Sequence, residues 1–242
     1  MTFDITIPVL NEADTLDRQV RMLHRFLQQH FPDDSQWQII IADNGSTDNT
    51  RHIAAALSDE FPEVKWISLA EKGVGLALKT SWMQSKADIV GYMDLDLATD
   101  LRHFPQAINA LSTEGFDLVY GTRLHRKSRV IGRTLKREIT SRVFNLMLKW
   151  YLGTRFSDGM CGFKWLLRKH VSPLMEGGAV SNGWFFSTEL LAVAEWKGLN
   201  MCELPVIWTD DTSSSRVNIL RLAKQYIAAM RILKKRRSPA AT

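Results

Sequence analysis

The sequence is poor in cysteine, with Cys161 and Cys202 as its two thiols among 242 residues. Two cysteines make no disulfide framework, so a reducing compartment is expected, and neither has a second Cys or a His at the spacing of a zinc site. No run of about 18 apolar residues is present, so no transmembrane helix is predicted. The segment Met1–Pro8 has neither the basic start nor the apolar run of a signal peptide, and none is expected.

Charge of neither sign dominates, since 31 lysines and arginines stand against 26 acids, a net charge of +5. Hydrophobic residues make up 45%, which is typical of a globular protein with a sizeable core. The basic residues cluster between 123 and 142 and again at 234–237. Such clusters attract phosphate groups on nucleotides or lipid headgroups.

The first hundred residues alternate short apolar runs with segments of helical period. We predict strands over 3–10, 38–42, 64–69 and 87–93, and helices over 13–31, 50–61 and 72–85. This alternation indicates an α/β fold with a mostly parallel sheet, which binds ligands beyond the carboxyl ends of its strands. After residue 100 we predict helices over 104–111, 139–152, 187–196 and 217–234, strands over 117–121 and 200–208, a basic loop over 122–133, a loop-to-strand segment over 158–164 and a polar loop over 210–215.

Two acids, Asp94 and Asp96, follow the fourth predicted strand at positions i and i+2. In an extended chain this spacing turns both carboxylates to one side, where they repel each other. A divalent cation relieves the repulsion, and Mg²⁺ and Mn²⁺ prefer such oxygen ligands, with phosphate oxygens completing the shell. The pair therefore predicts a metal–diphosphate site and opposes nucleic acid as a partner. The alternative is a strand end followed by a helix cap at Thr99 or Asp100.

Polar or glycine-containing segments follow the other early strands at the same edge. Pro8–Glu12 suits a nucleobase pocket, or else a turn whose acid favours a helix start. Asp43–Asp48 offers an acid for a base or ribose, or else turn and cap chemistry. Lys72–Gly75 lets the backbone approach a ligand at a helix N-terminus, although it is neither a Walker A motif nor the three-glycine dinucleotide motif.

The second half offers basic and acidic candidates for an acceptor site. Arg123 and Arg133 suit a phosphate because a guanidinium pairs bidentately with it; the alternative is a solvated basic loop. Asp158, beside Gly159, is a candidate to orient an acceptor. Glu189 follows aromatic residues, and an apolar environment raises the pKa of a carboxylate, as a general base needs. The alternative is an acid in the first turn of a helix, where it interacts favourably with the helix dipole.

Two segments, 133–152 and 217–237, read as basic amphipathic helices. In the first, Ile139, Val143 and Trp150 lie on or near one stripe, with Met147 and Tyr151. Such helices can lie in a bilayer interface. The alternative is that their apolar faces complete the core or a dimer contact, which would make a homo-oligomer.

Taken together, the motifs Pro8–Glu12, Asp43–Asp48, Lys72–Ala77 and Asp94–Thr99 resemble glycosyltransferase family 2, the inverting enzymes of GT-A fold. Gly121–Arg123, Asp158–Lys164 and Trp184–Leu191 resemble its polyprenyl-phosphate branch, which contains dolichyl-phosphate mannose synthase and dolichyl-phosphate β-glucosyltransferase. Cys161–Lys164, and Ala98 and Thr99 after the acids, look closer to the glucosyl members. The mannose synthases carry Gln where this chain has Ala98.

The resemblance implies an enzyme that moves a hexose from a UDP- or GDP-linked sugar to a polyprenyl or dolichyl phosphate, with Mg²⁺ or Mn²⁺ as cofactor. By position in the motifs, the nucleotide sugar would contact Pro8, Leu10, Asn11, Glu12, Asp43, Gly45, Lys72, Gly73, Gly75, Asp94 and Leu95. The metal would bind Asp94 and Asp96, and phosphates would bind Arg123 and Arg133. The catalytic residues would be Asp96, Arg123, Asp158 and Glu189.

The expected organisation is a single GT-A domain over 1–242. Within it, 1–122 would bind the nucleotide sugar, 123–215 the acceptor, and 216–242 would form a basic amphipathic helix and tail. The expected location is the cytoplasm, peripherally on the cytoplasmic face of a membrane. Many branch members carry C-terminal membrane helices that this sequence does not show, and the basic amphipathic helices would take their place as a peripheral anchor. Two alternatives stay open: the same fold acting on a soluble or protein-linked saccharide, and a metal-dependent nucleotidyltransferase.

Overall fold

A computed structural model describes residues 1–32, 37–209 and 219–237. The strands are β1 Phe3–Val9, β2 Trp37–Asp43, β3 Val64–Ser68, β4 Ile89–Met93, β5 Leu118–Thr122, β6 Arg129–Ile131, β7 Phe163–Leu167, β8 Met201–Pro205 and β9 Ile207–Thr209. The helices are α1 Leu16–His30, α2 Thr50–Glu60, α3 Val74–Gln84, α4 His103–Ser112, α5 Leu135–Leu152, α6 Val171–Glu176, α7 Phe186–Trp196 and α8 Ile219–Arg237, with a 3₁₀ turn at Arg168–His170.

Seven strands form one sheet in the order β3-β2-β1-β4-β7-β5-β8. The pairs among β1, β2, β3 and β4 are parallel, as is β5 with β8, whereas β7 runs antiparallel to both β4 and β5. The prediction of a mostly parallel sheet flanked by helices is therefore confirmed. The carboxyl ends of β1, β2 and β4 lie along one edge, where the predicted site residues follow them.

Helices cover both faces of this sheet. On one face, α1, α2 and α4 bury apolar residues at helical spacing, including Leu16, Val20 and Leu23, against β1 and β2. On the other face, α3, α5, α6, α7 and α8 form a second cluster around Trp82 and Phe186. Strand β4 is a continuous apolar run because both of its faces are buried, whereas the similarly buried β1 carries Asp4 and Thr6 between its apolar residues.

Several predicted boundaries are wrong. The expected strand over 200–208 is two strands, because β8 joins the main sheet while β9 leaves it to pair with β6 in a separate two-stranded sheet. Strand β6 lies in the segment expected to be a basic loop. Helix α5 begins at Leu135, not at 139, because Thr134 caps it through a bond accepted from the Arg137 amide. The polar loop predicted over 210–215 lies outside the described residues.

The two amphipathic segments behave differently. Helix α8 turns Tyr226, Met230 and Leu233 into the second core cluster, so its inner face completes the core rather than lying on a bilayer. Helix α5 buries Leu148 and Leu152 but leaves another apolar stripe exposed. Among the described residues, no helix combines the length and apolar content needed to span a bilayer.

Candidate active site

The loops after β1 and β2 are joined by hydrogen bonds into one rim at the carboxyl edge of the sheet. The Asn11 amide donates to Ser46 Oγ at 2.9 Å, and the Thr47 amide donates to Asn11 Oδ1 at 2.8 Å. The Glu12 amide donates to Thr50 Oγ1 at 2.8 Å. Asn11 adopts a left-handed conformation with φ 56°, which is costly for a residue other than glycine and is found often at functional sites. The Pro8–Glu12 segment is thus fixed against the β2 loop.

Asp43, at the end of β2, is fully buried and stabilises the loop that follows β2. Its carboxylate accepts bonds from the Ser46 amide at 3.0 Å, Arg51 Nε at 2.6 Å and Ser68 Oγ at 3.1 Å. Burial alone would raise the pKa of Asp43, but these bonds outweigh burial and lower it. Since both oxygens are engaged, Asp43 supports the turn in this structure, and a direct contact with a nucleoside stays a prediction.

The glycines of the Lys72–Gly75 segment approach a different part of the same chain. A Cβ at Gly73 would lie 2.4 Å from the Asn182 carbonyl oxygen, and a Cβ at Gly75 would lie 2.3 Å from that of Ser181. The Gly73 amide also donates to Asn44 Oδ1 beside the β2 loop. The 181–183 segment can therefore pack this closely because residues 73 and 75 have no side chain. A contact of these two glycines with a nucleotide stays a prediction.

The acid pair lies where β4 ends. Asp94 is half-buried, Asp96 is exposed, and Leu95 between them is buried. The turn is tight, because the Leu97 amide donates to the Asp94 carbonyl at 3.2 Å with Leu97 at φ 51°, and the Ala98 amide donates to Asp96 Oδ1 at 3.0 Å. Burial, and then the charge of Asp96, raises the pKa of Asp94 to about 7.

The acid pair fits a divalent cation held together with a diphosphate. The electrostatic cost that each carboxylate imposes on the other is what a cation removes. Across the described ranges, no group of three or more His, Cys, Asp or Glu side chains is placed to hold a metal by itself. Asp94 and Asp96 would therefore supply part of the shell, with phosphate oxygens and water supplying the rest, as Mg²⁺ and Mn²⁺ accept.

Gly162 lies directly against the Asp94 carboxylate. A Cβ at this position would fall 1.8 Å from Asp94 Oδ2, so any other residue would displace the Asp94 carboxylate. Glycine at position 162 thus lets the loop before β7 approach the acid pair with Asp94 in this position. This contact joins the acceptor-side segment that begins at Asp158 to the carboxylates at the end of β4.

Arg123 and Asp158, which were predicted as separate site residues, form one ion pair. Arg123 Nε lies 2.8 Å from Asp158 Oδ2 and Nη2 lies 3.0 Å from Oδ1, and the Arg123 amide donates to Oδ2 at 3.1 Å. Asp158 is fully buried and the Arg123 side chain is nearly so. Burial would raise the pKa of Asp158, but Arg123 lowers it to about 2. The guanidinium also lies over the Trp208 ring, 5.2 Å from its centroid.

Lys164, which the sequence motifs did not single out, is a further candidate site residue because its charge acts on Asp94. It lies in β7, is fully buried, and donates through Nζ to the Cys161 carbonyl at 2.5 Å, to Ser187 Oγ at 2.7 Å and to the Gly159 carbonyl at 3.3 Å. Burial lowers its pKa to about 8. A lysine among the apolar residues of Phe163–Leu167 was the available signal, because a charge at a core position needs a reason.

Glu189 and Arg133 are both engaged with neighbouring protein groups. Glu189 is buried in α7, where it accepts bonds from the Val180 amide at 2.9 Å and the Ser181 amide at 2.7 Å. It thus anchors the segment that packs on Gly73 and Gly75. Arg133 pairs with Glu138 at 3.1 Å and donates to Ser141 Oγ, two residues of the first half of α5, and its predicted contact with a phosphate stays a prediction.

A cavity of about 210 Å³ opens beside Asp94. Its walls include Tyr92, Met160, Trp184 and Tyr226, and we call it the Asp94 cavity. The Tyr92 hydroxyl donates to Ser187 Oγ at 2.7 Å, so two of the polar groups that line the cavity are bonded to each other. The cavity joins residues of β4, the Asp158–Gly162 loop, the start of α7 and helix α8.

The known proteins that this chain resembles in sequence are glycosyltransferases. The family model described as Glycosyl transferase family 2 matches residues 4–174. Glycosyltransferase AglD of Haloferax volcanii is 30% identical over 90% of this chain, which spans 34% of that protein. Dolichyl-phosphate beta-glucosyltransferase ALG5C of Trichomonas vaginalis is 24% identical over 93% of this chain and 69% of its own length. The chain therefore spans about a third of the first relative and some two thirds of the second.

Solved structures share the fold. Glucosyl-3-phosphoglycerate synthase from Mycobacterium tuberculosis in complex with UDP superposes with a TM-score of 0.69 at 22% identity, covering 99% of this chain and 82% of that one. The same enzyme with Mn²⁺, UDP-glucose and phosphoglyceric acid gives a TM-score of 0.68 at 20% identity, with 99% and 81% covered. At this identity the likeness establishes the GT-A fold.

Proposed function

Because the chain belongs to glycosyltransferase family 2 and is a glycosyltransferase that uses a nucleotide sugar, we propose that it transfers a hexose to the phosphate of a polyprenyl lipid. Inversion at the anomeric carbon by a single displacement is part of the proposal. The named relatives include dolichyl-phosphate glucosyltransferases, which supports UDP-glucose as donor ahead of GDP-mannose. The segment 1–122 would bind the donor and 123–215 the acceptor.

The observation that carries the proposal is that the two acids of the predicted acceptor site, Asp158 and Glu189, are both already engaged and neither is free to act as a general base. Asp158 is bonded bidentately to Arg123, and Glu189 accepts two backbone amides and the Ser181 hydroxyl. A hydroxyl acceptor needs a group that removes its proton, whereas a phosphate monoester is already ionised near neutral pH. An acceptor that attacks through a phosphate oxygen therefore suits this site.

The remaining residues would bind the donor and stabilise its leaving group. Asp94 and Asp96 would hold Mg²⁺ or Mn²⁺, which would neutralise charge on the departing nucleoside diphosphate. Arg123 and Lys164 add two fixed cations within electrostatic reach of Asp94. Because both are held by buried bonds, they need no reorganisation when charge develops on the leaving group. The rim formed by Pro8–Glu12 would receive the base.

Helix α5 supports a bilayer as the source of the acceptor. Its exposed stripe consists of Leu135, Ile139, Val143, Leu146 and Trp150, and Trp150 is 85% exposed. At 100° per residue these five side chains fall within one quarter of the helix surface. The exposed Lys136, Arg142 and Lys149 flank the stripe on its two edges. An apolar stripe with basic margins suits insertion into a bilayer that contains anionic lipid, on the cytoplasmic face.

The experiment is transfer of radiolabel from UDP-glucose or GDP-mannose to undecaprenyl or dolichyl phosphate, with Mn²⁺ or Mg²⁺. We expect metal-dependent label in the lipid phase, reduced roughly a hundredfold or more by Asp96→Asn, because the metal contributes several kcal/mol. Asp100→Asn is the matched control, since Asp100 is a nearby acid that bonds Arg102. Label that enters only a soluble acceptor such as 3-phosphoglycerate would contradict the lipid acceptor but keep the transferase.

A further inference from the structure

The Asp94 cavity is too small for a whole substrate. Its volume of about 210 Å³ is below the roughly 300–1,000 Å³ of a typical ligand pocket. It nevertheless borders Asp94, whose carboxylate lies at the proposed metal site. A cavity of this size beside the reacting atoms can hold only the part of a substrate that adjoins them, either the donor's sugar ring or the first carbon atoms of the acceptor.

The walls of the Asp94 cavity favour hydrocarbon over sugar. A hexose carries hydroxyl groups around its ring, and each buried hydroxyl needs a partner. The Tyr92 hydroxyl is already bonded to Ser187, and Ser187 accepts a further bond from Lys164. Asp94 and the Tyr226 hydroxyl are further polar groups of the lining, and most of the cavity surface is apolar, including the Met160 thioether and the Trp184 side chain. An unbranched thioether and an aromatic ring adapt well to a branched hydrocarbon.

The position of the cavity gives the direction from which its occupant comes. Tyr226, in its wall, packs on Phe144 of α5 with ring centroids 5.2 Å apart. Phe144 lies on the inward side of α5, and the exposed stripe that ends at Trp150 lies on the outward side. Tyr226 of α8 and then α5 therefore lie between the cavity and the proposed bilayer face. A lipid whose chain leaves the site along α5 would place its first unit beside Asp94.

We propose that the Asp94 cavity binds the first isoprene unit of the acceptor and thereby selects a prenyl phosphate over a small soluble phosphate. This inference rests on the proposed function and extends it, because it identifies Met160, Trp184 and Tyr226 as specificity-determining residues. The phosphate oxygen would then lie near Asp94 and the chain would continue towards α5. No covalent step beyond the proposed transfer is involved.

The test compares methyl phosphate, isopentenyl phosphate and citronellyl phosphate as acceptors for the 242-residue chain with UDP-glucose and Mn²⁺. Each buried methylene contributes about fourfold to affinity, so we expect kcat/KM to rise by about tenfold or more from methyl to isopentenyl phosphate. The citronellyl ester should add less, because its second unit leaves the cavity. Equal kcat/KM for all three esters would overturn the cavity assignment but not the lipid-phosphate acceptor.

Met160→Trp fills the cavity and should abolish the preference for isopentenyl over methyl phosphate while the KM for UDP-glucose stays within about twofold. Met22→Trp, at an exposed methionine of α1 on the other side of the sheet, is the matched control and should keep the preference.

Trp184→Ala is the second variant, since this half-exposed side chain can be removed without opening the core, and it should weaken the preference. A preference unchanged in both Met160→Trp and Trp184→Ala would overturn the assignment. Transfer to no phosphate ester at all would refute the proposed function and this inference together.

Discussion

Arg123 and Asp158 form an ion pair almost entirely removed from water, 2.8 Å apart at its closest contact. Taking both charges out of water is costly, and their attraction repays this only while both are present. The pair lies between β5 and the loop that leads to Gly162, so it also fixes the approach of that loop to Asp94. Changing one partner therefore has a different consequence from changing both.

We expect Arg123→Leu to lower the free energy of unfolding by about 3–5 kcal/mol, because it leaves a buried carboxylate without its counter-charge. The double variant Arg123→Leu with Asp158→Asn should recover a clear part of that loss, since neither member of the ion pair is then left charged and buried without the other. Urea denaturation of the three proteins at pH 7 measures the difference. A double variant as unstable as the single one would mean that packing of the guanidinium, rather than the buried charge, is what matters.

The same pair predicts a reversal in the pH dependence of stability. With Arg123 present, the pKa of Asp158 is about 2, below its ordinary 3.8, so its contribution is present above pH 3.8 and is lost as the pH falls towards 2. Without Arg123, burial is the dominant effect and raises that pKa, so the contribution is lost as the pH rises instead. Urea midpoints from pH 4 to 7 should fall with pH in Arg123→Leu relative to the native protein, and Asp158→Asn should remove this slope.

At the scale of elements, α3 meets the 181–183 segment through Gly75. A helix normally gains about 1 kcal/mol when glycine becomes alanine. Here the added Cβ would lie 2.3 Å from the Ser181 carbonyl oxygen and 2.5 Å from Phe186 Cβ. We therefore expect Gly75→Ala to destabilise the protein by about 2 kcal/mol or more, as overpacking does. Thermal unfolding gives the sign directly.

Gly183→Ala is the matched control for Gly75→Ala, because a Cβ at Gly183 meets nothing within 4 Å. It should change the unfolding free energy by no more than about 0.5 kcal/mol. If Gly75→Ala were neutral or stabilising, helix propensity would outweigh the contact, and the 181–183 segment would not be held against α3 as closely as its geometry indicates.

The exposed stripe of α5 predicts binding to vesicles. Leu146→Ser with Trp150→Ser should weaken partition onto phosphatidylglycerol-containing vesicles by roughly tenfold or more, because two large apolar side chains no longer insert. Both positions are exposed, so the melting temperature should change little. Met22→Ser, at an exposed methionine of α1, should leave partition unchanged. Equal partition of all three proteins, measured by sedimentation with sucrose-loaded vesicles, would refute α5 as the bilayer face.

At the scale of the whole molecule, the early part of the fold was predictable from local pattern. The β1–α1–β2–α2–β3–α3–β4 order follows from alternating periods, and the acids fall at strand ends because parallel strands present one edge. The position of β7 was not predictable, since nothing local to Phe163–Leu167 says that it inserts antiparallel between β4 and β5. The division of 200–208 into two strands in two sheets likewise depends on distant partners.

The candidate site shows the same limit. Asp94 and Asp96 could be chosen from spacing alone, because their chemistry is local. The pairing of Arg123 with Asp158, and the engagement of Glu189 by the 180–181 backbone, depend on tertiary contacts that spacing does not contain. Lys164 was overlooked because a lysine in a strand usually lies at the surface, whereas here it is surrounded by carbonyl groups and Ser187.

The insertion of β7 ties the proposed donor and acceptor segments into one cooperative unit. Strand β7 comes from the segment 123–215, yet it separates β4 from β5, which both belong to 1–122. A fragment of residues 1–122 would leave the facing edges of β4 and β5 without their shared neighbour, and would lose the contact of Trp165 with Gly91 and Phe104.

We expect this fragment to show no cooperative urea transition by circular dichroism, whereas the 242-residue chain unfolds in a single transition. A cooperative transition in the fragment would mean that β1 to β4 form a stable unit by themselves, and that the acceptor segment is an addition to it rather than part of its sheet.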